Sequence, residues 1–228
     1  MDFSQALTGA HIISGTIAVL AGAIALGARK GAPFHVNAGR IFAITMIISS
    51  GLGAGLGLLK LESHYITFHA GILGITLIAS SWLTIRARTS QLSFPSIGIG
   101  AINFANAAAL IAAGIYAASL PESVLLGFHA GNYFFLSGMA GIAAIGDISL
   151  LFRKTLTRKH RLARHLWRMC LGFFIAAGSA FTGPGASIFP QSVQDSGILS
   201  APELIIISLM LFWLVRTLYG KPTLPPPK

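Results

Sequence analysis

Seven histidines stand in a chain that has few other ionisable side chains in its apolar stretches, and their spacing is the first chemical clue. His11, His69 and His129 are 58 and 60 residues apart, each about one turn inside a long apolar run. His35 and His165 sit at the opposite ends of two other runs, each followed by an arginine, Arg40 or Arg168. An imidazole in hydrocarbon is costly unless it meets a partner, a cavity or a metal, so a histidine inside a membrane span marks a candidate site. Haem b takes one imidazole on each face of its ring, and helical bundles supply such pairs from facing helices. Gly15, Gly71 and Gly131 beside the ligands leave room for a macrocycle, and Arg40 and Arg168 can pair with its propionates.

A second chemistry takes His11, His69 and His129 together. Three imidazoles at one depth with an open fourth position describe a zinc or copper site, serving hydrolysis or metal handling. A hydrolase would also need a carboxylate or serine at that depth. Ser14 is near His11, whereas Asp147 lies 18 residues beyond His129. Asp147 reads as a counter-ion to basic residues or as an orienter of His35 or His165. Asn103 and Asn106 read as interhelical hydrogen-bonding residues, and His64 and His160 as solvated ones.

The elements that hold these residues follow from composition. With 54% hydrophobic residues, 10% charged residues and a mean hydropathy of +0.75, the chain has too little polar surface for a soluble globule. Its formal charge of +10 does not imply nucleic acid, because the basic residues sit at the ends of apolar spans. They anchor the protein and meet anionic lipid headgroups. The single cysteine, Cys170, permits no disulfide framework or thiolate cluster.

Seven spans have the roughly 20 apolar residues that a bilayer core requires. They are Leu7 to Ala28, Ala38 to Leu59, Tyr65 to Ile85, Ile97 to Leu120, Val124 to Phe152, Leu166 to Phe181 and Pro202 to Leu218. The stretch Arg153 to Arg168 holds seven of the sixteen Lys and Arg residues, and as a cytoplasmic loop it orients the rest. Fifteen basic residues then fall on that side and only Lys60 on the other, with five of the six acids. The expected fold is one all-α, seven-helix transmembrane domain over residues 1–220, N-terminus outside and C-terminus inside. A proline-rich tail follows over 221–228. The first run lacks a positive n-region and is long enough to span, so it reads as a retained helix.

Two histidine layers then face each other across roughly 20 to 30 Å of helix rise. The fifth run, about 43 Å long at 1.5 Å per residue, is expected to tilt or project. Residues 184–200 form an outer loop. Gly51, Gly53, Gly55 and Gly57 predict close packing of the second helix. Phe68-His69-Ala70-Gly71 and Phe128-His129-Ala130-Gly131 suggest an internal repeat, each opening a helix of the same direction.

In two places the chain resembles an uncharacterised family of bacterial predicted membrane proteins, a domain of unknown function. One is His11-x3-Gly15, Gly22, Ala25-Leu26, Arg29-Lys30-Gly31, His35 and Gly39-Arg40. The other is Arg164-His165-Leu-Trp167-Arg168-Met169-Cys170, continuing to Ala176-Ala-Gly178-Ser179-Ala-Phe181. The resemblance implies a polytopic protein of the bacterial plasma membrane and carries no established activity. The residues themselves predict a haem b protein that passes electrons across or within the bilayer. The alternatives are the zinc or copper protein and an accessory subunit of a larger membrane complex; a redox partner or complex subunits would be its protein partners.

Overall fold

The computed structural model describes residues 3–86, 94–152 and 156–220. Within them, seven helices are long and apolar enough to cross a bilayer, the pattern of a multi-pass membrane protein. They are α1 (Phe3–Gly27), α2 (Pro33–Leu59), α3 (Leu61–Arg86), α4 (Phe94–Ser119), α5 (Ala130–Leu151), α6 (Arg158–Ala177) and, after a five-residue helix α7 (Gln191–Asp195), α8 (Ala201–Tyr219). The proline-rich tail and residues 153–155 of the basic stretch lie outside the described residues.

Two boundaries differ from those the sequence predicts. The fifth span starts at Ala130 and not at Val124. Residues 124–129 form an antiparallel hairpin instead, β1 (Val124–Leu125) against β2 (Phe128–His129). Leu126 and Gly127 close it with φ of 51° and 80°, the backbone of a two-residue hairpin turn. Helix α5 therefore has 22 residues, and the tilt expected of the longer run falls away. The sixth helix starts at Arg158, eight residues early, with the Thr157 side chain accepting from the His160 amide at its N-cap. The basic stretch is thus largely helix and not loop, because Ala163, Leu166 and Trp167 recur between its charges at helical spacing. The expected outer loop is likewise structured, by short turns at Pro184–Ile188 and Ile198–Ser200 around α7.

Helices α1, α2 and α3 pack as consecutive neighbours, α4 pairs with α5, and α6 joins α3 to α8. One apolar core, with Leu73, Leu77, Leu110, Tyr133 and Met139, fills the space among α3, α4 and α5. A second, with Ala18, Phe42, Met46, Cys170 and Phe173, fills the space among α1, α2 and α6. The α2–α3 contact needs glycine. A Cβ on Gly57 would lie 2.5 Å from the Phe68 backbone nitrogen, and one on Gly71 would lie 2.6 Å from the Ser50 carbonyl oxygen. At the basic end of the bundle, Lys30 donates to the Leu26 and Ala28 carbonyls at the end of α1 and lies 5.1 Å from the Trp213 ring of α8. Burial there pushes the Lys30 ammonium below the ordinary lysine value, with Cys170 acting in the opposite direction.

Candidate functional site

Four of the seven histidines are gripped in the same way. His11 of α1 donates from Nδ1 to the Ser49 carbonyl of α2 at 2.8 Å, while the Ser49 hydroxyl donates to the His11 carbonyl at 3.1 Å. His69 of α3 donates from Nδ1 to Asn106 Oδ1 of α4 at 2.5 Å, and Asn106 Nδ2 donates back to the His69 carbonyl at 3.1 Å. His35 of α2 donates from Nδ1 to the Ala25 carbonyl of α1 at 2.9 Å. His165 of α6 lies with Nδ1 2.9 Å and its carbonyl oxygen 3.1 Å from the Ser81 hydroxyl of α3.

These partners fix the tautomer. Carbonyl and amide oxygens only accept, so Nδ1 carries the hydrogen in His11, His35 and His69, whereas the Ser81 hydroxyl beside His165 can donate or accept. In those three rings Nε2 is left with its lone pair, as in a metal-ligating histidine whose other nitrogen is held by the protein. None of the four Nε2 atoms has a partner among the described residues. They are not sealed either: the one fully buried side-chain nitrogen or oxygen left without a partner among those residues is Nε of Arg168.

The rings do not all converge. His11 is committed to the α1–α2 seam, its ring 3.1 Å from where a Cβ on Gly53 would lie, whereas His69 turns toward α4. His129 is exposed in β2 at the N-cap of α5, not one turn inside a helix. Among the described residues no three His, Cys, Asp or Glu side chains gather as a metal-binding set. The expected triad of His11, His69 and His129 is therefore dispersed, because the hairpin consumes the residues that would have carried His129 inward. His35 and His165, from α2 and α6, lie close enough that a charge on one bears on the other. His64 and His160 bond locally, to Ser63 and Thr157.

The sequence left the polar seam along α3 unassembled. Asp147 of α5 receives Arg164 Nη2 and Arg168 Nη2 of α6, the latter at 2.8 Å, and Asn103 Nδ2 of α4 at 2.8 Å. Thr76 donates to Asn103 Oδ1 at 2.6 Å, Ser80 meets Arg168 Nη1, and Arg164 Nε donates to Thr84 at 3.0 Å. Asp147 is thus the counter-ion of Arg164 and Arg168 and not an orienter of His35 or His165. Arg168 is fully buried in this cluster, so the expected propionate role at a haem edge does not fit it. Arg40 is exposed, little more than one turn beyond His35, and remains available. The signal was present as the i, i+4 pairs Thr76–Ser80–Thr84 and Arg164–Arg168, one polar stripe on each of two helices. Two guanidinium groups share one carboxylate here, and their remaining charge rests on the Ala143 and Gly146 carbonyls.

No family model, curated protein or solved structure matches this chain. Its function is accordingly argued from its own residues.

Proposed function

We propose that this membrane protein binds haem b at its basic end between α2 and α6, where His35 and His165 would hold it, and carries electrons within the bilayer. The observation that supports this reading is the pair itself: two imidazoles from different helices within electrostatic reach of each other, each with Nδ1 held by a neighbouring helix and Nε2 without a partner among the described residues. That donor set suits haem iron, which takes two neutral imidazole nitrogens. The Ala25 carbonyl holds His35 in the Nδ1–H tautomer, which raises the basicity of its free nitrogen, and the Ser81 hydroxyl orients the His165 ring. Arg40, exposed five residues further along α2, is the cation we assign to a propionate. When bound, the haem supplies one-electron chemistry.

The positive-inside rule puts the basic end in the cytoplasm, with the N-terminus on the other face, and the bacterial plasma membrane is the location we assign. The test is a reduced-minus-oxidised spectrum of protein purified in detergent after expression with haem supplied. A Soret band lost in His35→Ala and in His165→Ala but kept in His129→Ala supports the reading. A colourless protein with no haem on pyridine extraction overturns it.

A further inference from the structure

The opposite end of the bundle carries a site that the haem reading does not use. His69 is 6% exposed, and its Nε2 carries a lone pair with no partner among the described residues. The Tyr65 ring, one turn earlier on α3, lies 4.4 Å from the His69 ring, and the Tyr65 hydroxyl also has no partner among those residues. Phe68 stands edge-on to the same imidazole at 5.1 Å. Behind them Tyr133 is spent, donating to the Leu125 carbonyl at 2.7 Å. Asn106 fixes the His69 ring through both its amide atoms, so the free nitrogen points in a defined direction.

A ligand for this corner must bring a hydrogen-bond donor to Nε2, a second polar atom to Tyr65, and a flat ring for the aromatic faces. It must also partition into a membrane, since the corner is the end of an apolar span. A hydroquinone headgroup on a lipid-soluble molecule meets all four demands. We propose that His69 and Tyr65 bind the headgroup of a membrane quinol, one hydroxyl donating to His69 Nε2 and an oxygen meeting the Tyr65 hydroxyl. A lipid acyl chain satisfies none of the polar positions. Binding stands without the haem; only a role for the quinol as electron donor rests on that reading.

The test uses the full chain in nanodiscs and decyl-benzoquinol as the probe, followed by calorimetry against empty discs. Binding above the empty-disc background is expected. Tyr65→Phe, which keeps the ring and removes one hydrogen bond, weakens it by about 3- to 10-fold. His69→Ala weakens it by about 10-fold or more. His129→Ala, exposed on the hairpin, leaves it unchanged. Uptake equal to that of empty discs, or affinity unmoved by Tyr65→Phe in a protein that stays monodisperse, overturns the proposal. A colourless protein that still binds the quinol sinks the haem and spares this site; a haem-loaded protein that ignores the quinol does the reverse.

Discussion

The tetrapeptide Phe-His-Ala-Gly occurs twice, and its two copies have different fates. At 68–71 it lies about one turn beyond the kink at His64 in α3: His69 is buried against Asn106, and Gly71 lets the α2 backbone pass. At 128–131 it straddles a strand and a helix start: His129 is exposed, and a Cβ on Gly131 would meet nothing within 4 Å. The residues ahead of each copy make the difference. Tyr65-Ile66-Thr67 is helical from the kink at His64 onward, whereas Pro121-Glu122-Ser123 enters a turn in which Glu122 and Ser123 have positive φ, and the hairpin follows. Four shared residues therefore set neither depth nor partner. Neighbours on other helices do.

The largest effect is expected at the polar seam, which ties α3, the helix of the first copy, to α5, the helix that the second copy opens. Asp147→Ala leaves Arg164 and Arg168 buried without a carboxylate, and a loss of about 3–5 kcal/mol is expected in reversible unfolding in mixed micelles. Gly71→Ala forces a methyl group into the Ser50 carbonyl and is expected to cost about 1–3 kcal/mol, against less than about 0.5 kcal/mol for Gly131→Ala in the same measurement. His69→Ala strands the buried Asn106 amide and is expected to cost about 1–3 kcal/mol, while His129→Ala stays within about 0.5 kcal/mol. Equal losses at the two histidines would erase the distinction. The smallest effect sharpens it from the other side: Leu126→Asn, at φ 51°, relieves a left-handed leucine and is expected to raise stability by up to about 1 kcal/mol. A fall in the same unfolding midpoint would show that the Leu126 side chain matters more than its backbone.

Much of the architecture was legible in advance because lipid imposes a strong rule: a span of sufficient length and apolarity has helix as its available form. The five helices α1, α2, α3, α4 and α8 coincide with predicted runs to within a few residues at most ends. The two that shifted did so for reasons hydropathy does not register. Val124, Leu125 and Phe128 are apolar in a hairpin as they would be in a helix, and Leu-Gly is a weak turn signal beside Asn-Gly. Arg158 to Arg168 looked too cationic for the bundle, yet Asp147 draws Arg164 and Arg168 inward. The histidines were found as candidates, and Asp147 as a counter-ion. Which rings face each other was not written in spacing along the chain.

By itself, then, the sequence determined the number of membrane-length helices and where charge and imidazole occur along them, since these follow from local composition and the thickness of a bilayer. The tertiary structure alone decided which atom each ring nitrogen meets, that His35 and His165 lie within electrostatic reach of each other, and that His129 is left outside. A ring nitrogen's role is set by the atom opposite it, and that atom belongs to another helix, up to 84 residues away in the case of Ser81 and His165.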